Sequence, residues 1–226
     1  MKSAMILAAG KGERMRPLTD KLPKPLLRAG GKPLLQYHLE SLARAGTGRI
    51  VINHARLGEL IEKEFGNGRS YGVEIVYSPE GDEPLETGGG IKKALPLLGP
   101  GPFIVVNADI WTDYDFSRLP QAPERLAHLV LVPNPDHHPQ GDFSLDNGKV
   151  TDDTGPRLTY GGIGVYRPEL FADCDESVFA LAPVLLRVMG QGAISGEFYS
   201  GRWVDVGTPD RLSRLDVWLN EDIKND

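Results

Sequence analysis

The sequence predicts an α/β fold, a three-layer sandwich in which helices cover both faces of a mixed, mostly parallel central sheet. Three observations lead there. Up to about residue 109, strand-like and helix-like segments alternate, which is the pattern of βαβ units. The strands of that stretch are continuous apolar runs, as expected of a sheet buried on both faces. After residue 127 strands follow one another closely, so the second half reads as an antiparallel-tending extension of the first sheet.

The elements follow in order. "AMILAA" (4–9) is a buried strand, apolar on both faces. "PLLQYHLESLARAG" (33–46) repeats apolar residues at helical spacing and closes on Gly46, a C-terminal cap. "RIVINH" (49–54) is a strand and "LGELIEKEFG" (57–66) a helix ending on glycine. "VEIVYS" (73–78) is a strand, "GGIKKALPLLG" (89–99) a short helix containing Pro96, and "FIVVNAD" (103–109) a buried strand. Beyond them "AHLVLVP", "DFSLDNGKV", "GGIGVYRP" and "WVDVG" are strands, with a helical "VFALAPVLLRVMG" between. No repeat, low-complexity tract or linker interrupts the chain, so residues 1–226 are expected to form a single domain.

A chain of 226 residues, 40% hydrophobic and 25% charged, has room for a sizeable core. Its net charge of −6 argues against general binding of nucleic acid or of a membrane surface. The single cysteine, Cys174, excludes an intrachain disulfide and offers no thiolate cluster for a metal. No signal peptide is expected, because the apolar run at 4–9 is short and leads straight into a glycine loop. No run approaches the roughly 20 apolar residues of a membrane span, so the cytoplasm is the expected compartment. The oligomeric state stays open, with a monomer as the simplest reading.

Against this acidic average, "GKGERMRPLTDKLPK" (10–24) is basic. Gly10 and Gly12 bring bare backbone N–H groups to the end of a strand, and Lys11, Arg14, Arg16, Lys21 and Lys24 crowd positive charge around them. Such a loop suits a polyphosphate. In open α/β sheets ligands bind beyond the carboxyl ends of the strands, so the segments 10–16, 78–90 and 107–113 should meet in one crevice. Two common phosphate motifs are excluded. Met15 occupies the third glycine position of a dinucleotide fingerprint, and no G-x-x-x-x-G-K-[ST] loop is present.

"LAAGKGERMRPLT" and "PKPLL", followed in order by "EPLETGGGIKKAL", "VVNADIW" and "WVDVGTPDRL", resemble the motifs of sugar-1-phosphate nucleotidyltransferases over nearly the whole chain. The length and the details of these motifs are most similar to the uridylyltransferase branch that serves bacterial cell-wall recycling. The resemblance implies a Rossmann-like nucleotidyltransferase fold, with residues 1–115 as a nucleotide-binding half and 116–226 as a sugar-binding half. It implies Mg²⁺ as cofactor, and UTP and a sugar 1-phosphate as substrates. Two positions depart from the family pattern. Glu13 stands where threonine is usual, and Ala108 where glycine usually precedes the metal-binding aspartate.

The site residues are read as follows. A guanidinium suits forked hydrogen bonds to phosphate oxygens, so Arg14 is assigned to the leaving pyrophosphate, ahead of Arg16. Lys24 sits between two prolines that restrict its backbone, and the family likeness places it on the nucleotide phosphates with Gly10, Lys11 and Gly12. Asp109 and Asp205 both end apolar strands, and Mg²⁺ takes one or two carboxylates together with phosphate oxygens and water. The D-x-D of Asp113 and Asp115 is read as a decoy beyond the strand end. By resemblance, Glu80 and the backbone of Gly88 face the base, with Asn107 also on the nucleotide, while Gly141, Asp142 and Gly162 face the sugar. Arg157 is a candidate for the sugar phosphate. His137 and His138 lie between prolines and read as a solvated loop rather than a metal pair. The same chemistry on GTP with mannose 1-phosphate, or on glucose 1-phosphate with dTTP or UTP, is the rival within the family. A non-catalytic nucleotide-sensing relative is the rival outside enzymes. It would be expected to lose a metal carboxylate or the loop arginine, and Asp109, Asp205, Arg14 and Lys24 are all present.

Overall fold

The computed structural model describes residues 2–153 and 155–225. Its first strand, β1 (Lys2–Leu7), lies between two parallel neighbours, and each apolar residue of the run therefore meets one side layer or the other. The order continues through β2 (Arg28–Ala29), β3 (Lys32–Pro33), α1 (Leu34–Arg44), β4 (Thr47–His54), α2 (Gly58–Phe65), β5 (Glu74–Pro79), α3 (Glu86–Leu98), β6 (Phe103–Asn107) and β7 (Ile110–Thr112). The second half holds β8 (Ala127–Val132), β9 (Phe143–Asp146), β10 (Lys149–Thr151), β11 (Arg157–Tyr166), α4 (Leu181–Met189), β12 (Ile194–Phe198), β13 (Trp203–Asp205) and α5 (Pro209–Asn225).

One nine-stranded sheet runs through both halves in the order β5-β4-β1-β6-β11-β8-β12-β10-β9. The four strands from β5 to β6 are parallel, and β11 joins them antiparallel through β6. Side chains alternate between layers as the pleat demands. Ala4, Ile6, Ile50 and Ile52 pack with Leu35, Leu39 and Leu42 of α1 and Ile61 and Phe65 of α2. Met5, Val51, Phe103 and Val105 pack on the opposite face with Ile91 and Ala94 of α3 and Val184 and Leu185 of α4. A third, smaller cluster joins Met15 of the glycine loop to Leu34, Trp111 of β7, Val206 and Leu212 and Leu215 of α5. The residue that breaks the dinucleotide fingerprint is thus the apolar anchor of the loop, fully buried, at a gain of about 2 kcal/mol.

Several boundaries differ from the sequence expectation. Helix α3 starts at Glu86, three residues before the expected start at Gly89, so all three glycines lie in its first turns. "DFSLDNGKV" is a hairpin, β9–β10, turned at Asn147 and Gly148, both at positive φ. Helix α4 starts at Leu181 and leaves 178–180 outside it. Strand β12, "ISGEF", has no apolar alternation to announce it. Its Gly196 is needed because a Cβ there would lie 2.5 Å from Val150 Cγ2 and 2.8 Å from the Leu129 carbonyl oxygen. Strand β13 leaves the main sheet and pairs only with β7, antiparallel. Among the described residues, no helix is long and apolar enough to cross a membrane.

Candidate active site

The chain order reverses at β1: β4 and β5 lie on one side of it and β6 on the other. A crevice beyond the carboxyl ends is expected at such a switch point. A cleft of about 610 Å³ opens there, lined by residues 7–15 after β1, by Pro84, Glu86 and Thr87 after β5, and by Asn107, Ala108 and Asp109 after β6. Lys24, Pro25, Asn53 and Gly207 complete it. The three segments singled out in the sequence do meet.

The glycine loop is held from below. Gly12 adopts φ 65°, and Thr19 Oγ1 donates to its carbonyl oxygen at 2.8 Å. A Cβ on Gly10 would meet nothing within 4 Å, so the fold itself does not demand glycine at that position. Lys11 bridges to Glu83 across the cleft mouth at 2.6 Å, and this carboxylate raises the lysine pKa. Arg14 lines the cleft, is exposed, and has no side-chain hydrogen bond or ion pair among the described residues. Arg16 lies outside the wall and leans on Asp20 at 3.5 Å. Lys24 is buried to 9% exposure, and its Nζ sits 2.9 Å from Asp109 Oδ2.

Asp109 lies in the turn directly before β7, and Asp205 ends β13, the strand paired with β7. Asp205 pairs with Ile110 in the β7–β13 ladder, and the Val206 N–H donates to the Asp109 carbonyl at 2.8 Å. Asp205 Oδ2 accepts from Arg211 Nη1 at 2.5 Å and lies 3.0 Å from His137 Nε2. Each acid is therefore held by a buried or half-buried cation, Lys24 or Arg211. Among the described residues no group of three or more His, Cys, Asp or Glu side chains is set to hold an ion. Two carboxylates without a third protein ligand fit Mg²⁺, which keeps waters and takes substrate phosphates, and do not fit a closed protein cage.

The remaining candidates divide. Asn107 lines the cleft, and Gly162 backs it: β11 shifts register between Tyr160 and Ile163, and a Cβ on Gly162 would lie 2.9 Å from Asn107 Nδ2. Gly141 and Asp142 are not in the cleft wall. Gly141 packs on Asn134, while Asp142 accepts from the Tyr160 N–H at 2.8 Å and lies 3.0 Å from His138 Nε2. Glu80 lies behind the wall with both oxygens engaged, one by Asn53 Nδ2 at 2.7 Å and one by the Leu85 N–H at 2.7 Å. The amides of Gly88 and Gly89 both donate to the Phe179 carbonyl, which closes segment 177–179 onto α3. Arg157 donates to the carbonyls of Asp142 and Asp152, so its guanidinium is spent on backbone. His137 and His138 lie in a loop, each about 40% exposed, and lean on Asp205 and Asp142 respectively. Asp113 accepts from the Arg202 N–H and the Tyr199 hydroxyl, and Asp115 caps the turn at Ser117, so both members of the D-x-D hold local structure.

Sequence reasoning missed Asn53, Thr87, Gly207 and Arg211. Asn53 had a usable signal, since it is a polar residue closing an apolar strand just as Asn107 does. Arg211 had a weaker one, six residues beyond Asp205 in the first turn of α5.

The sequence profile described as "Nucleotidyl transferase" matches residues 3–144. The chain is 55% identical over 218 residues to the N-acetylmuramate alpha-1-phosphate uridylyltransferase of Neisseria meningitidis serogroup B, covering 92% of this chain and 94% of that protein. It is 37% identical over 236 residues to the protein of the same name from Caulobacter vibrioides, covering 97% and 98%. Among solved structures it is similar to the inositol-1-phosphate CTP transferase from T. maritima, with TM-score 0.81, 20% identity and coverage of 99% and 96%. It is also similar to HddC from Yersinia pseudotuberculosis complexed with GMP-PN, with TM-score 0.77, 23% identity and coverage of 99% and 100%.

Proposed function

We propose that this chain, which belongs to the nucleotidyl transferase family, transfers the uridylyl group of UTP to N-acetylmuramate α-1-phosphate and releases pyrophosphate. The observation that carries the chemistry is the cleft itself, lined by Arg14, which has no ion pair among the described residues, and by the Lys24–Asp109 pair, with Asp205 on a strand beside it. The base and the sugar are supported by the two relatives of that name.

A phosphate oxygen of the sugar 1-phosphate attacks the α-phosphorus of UTP in line, the bond to the bridging oxygen breaks, and pyrophosphate leaves. The nucleophile is already an anion, so no general base is needed. The obstacle is repulsion between two polyanions and charge gathering on the leaving group. Preorganised positive groups oppose it in a partly desolvated cleft. Arg14 holds the departing pyrophosphate, and Lys24 with the backbone of Gly10, Lys11 and Gly12 holds the nucleotide phosphates. Asp109 and Asp205 would hold a divalent cation such as Mg²⁺, which would supply positive charge against the triphosphate. Asn107 contacts the nucleotide and Gly162, which backs the cleft, belongs to the sugar side; Gly141 and Asp142, outside the cleft wall, are assigned to the sugar by the family likeness alone. The reaction belongs to bacterial peptidoglycan recycling in the cytoplasm.

A panel of sugar 1-phosphates against four nucleoside triphosphates, with Mg²⁺ present and pyrophosphate release as readout, tests this. UTP with N-acetylmuramate 1-phosphate is expected to give the highest kcat/KM. A preference for GTP with mannose 1-phosphate would contradict the substrate pair, and release with no pair would favour a sensing relative.

A further inference from the structure

Asn53 and Glu80 have no part in the chemistry just described, yet they join its two walls. Asn53, next to last in β4, is 2% exposed and lines the cleft floor. Its Oδ1 accepts from the Ala8 N–H at 2.9 Å, directly before the glycine loop. Its Nδ2 donates to Glu80 Oε1 at 2.7 Å, and Glu80 Oε2 accepts from the Leu85 N–H at 2.7 Å, directly before α3. Glu86 and Thr87, the next two residues, form the opposite wall of the cleft. The pair needs its own space: a Cβ on Gly90 would lie 2.5 Å from Glu80 Oε1 and 2.8 Å from Asn53 Nδ2.

The polarity of this chain of bonds is fixed. The Ala8 N–H demands an acceptor, which leaves the Asn53 amide to donate, and Glu80 as a carboxylate can only accept. Among the described residues no cation pairs with Glu80; neutral donors alone satisfy it. A buried carboxylate is tolerated only when so satisfied, and one misplaced donor leaves a group unpaired. We propose that Asn53 and Glu80 are positioning residues for the nucleotide: a buried relay that sets the spacing between the phosphate loop and the α3 wall. Glu80 acts through Asn53 and Leu85 and does not touch the base. This rests on reading the cleft as the nucleoside triphosphate site.

The test is a double-mutant cycle on the full chain, reading UTP binding by titration calorimetry with Mg²⁺ and no sugar phosphate, beside kcat, both KM values and Tm. Glu80→Gln sets an amide against a donor, and Asn53→Asp sets two carboxylates together. Each is expected to weaken UTP about tenfold, the cost of one unpaired buried group, with kcat at saturation and KM for the sugar phosphate within about threefold of wild type. In the double variant the new carboxylate at 53 accepts from Ala8 and from the new amide at 80, whose oxygen accepts from Leu85. Every bond returns with one link reversed, and UTP binding should recover to within about threefold of wild type. Wild-type UTP affinity in Glu80→Gln, or single effects that multiply in the double variant, overturns the relay. So does a loss that moves Tm and both KM values together. Absence of UTP binding by the wild type overturns the reading of the cleft instead.

Discussion

His38 lies inside the molecule at 2% exposure, with Nε2 donating to the Ile110 carbonyl at 2.9 Å beneath the strand that follows Asp109. Burial pushes its pKa down from 6.5 to about 4, against the opposing pull of that carbonyl and of Asp109. The unfolded chain therefore takes up a proton below pH 6.5 that the folded chain refuses. Stability from this group is complete above pH 6.5 and drains away as pH falls towards 4, by about 3 kcal/mol in all. His38→Gln keeps a donor for Ile110 but does not titrate. Its unfolding free energy should fall less steeply than that of the wild type between pH 6.5 and 4, as measured by urea denaturation. Parallel curves would contradict the assignment. At this scale the sequence was informative where a residue type and its neighbours jointly restrict chemistry. Lys24 between prolines reaches Asp109, whereas Arg157, an arginine with no such restriction, turned out to serve backbone carbonyls.

Helix α3 shows how an element's composition can oppose its own propensity. Three glycines in its first turns cost about 1 kcal/mol each relative to alanine. The cost is repaid by contact. A Cβ on Gly89 would lie 2.3 Å from the Ser177 carbonyl oxygen, and the amides of Gly88 and Gly89 hold the Phe179 carbonyl. Gly89→Ala should gain the helix term and lose more, since overpacking against a backbone oxygen costs about 1–3 kcal/mol. A lower Tm is expected, with faster proteolysis in 173–180; a higher Tm would show that the segment is not seated on the helix. The glycine run was visible in the sequence as a close approach, but its partner 90 residues later was not. The same limit hid β12, whose pairing with β8 and β10 depends on Gly196 fitting under Val150 rather than on any local alternation.

Across the whole molecule, the small third cluster brings the parts of the site together. Met15 under the glycine loop, Trp111 beside Asp109, Val206 beside Asp205 and Leu212 beside Arg211 pack into one apolar unit. The loop, both acids and their cations are thus fixed relative to one another, which is what electrostatic preorganisation requires. The layered fold, the crevice and the residues around it were legible because they follow from strand–helix alternation and from charged residues at strand ends. The surroundings of Gly141, Asp142 and the two histidines were less legible, because they are positioned by long-range pairing between β9, β11 and the loop before them. The central claim is that Asp109 serves the reaction from this cleft together with Lys24. The most direct measurement is the single-turnover rate of pyrophosphate release by Asp109→Ala with saturating UTP, N-acetylmuramate 1-phosphate and Mg²⁺. A fall on the order of 10²-fold or more, with Tm near that of the wild type, is predicted; a near-native rate would contradict the account.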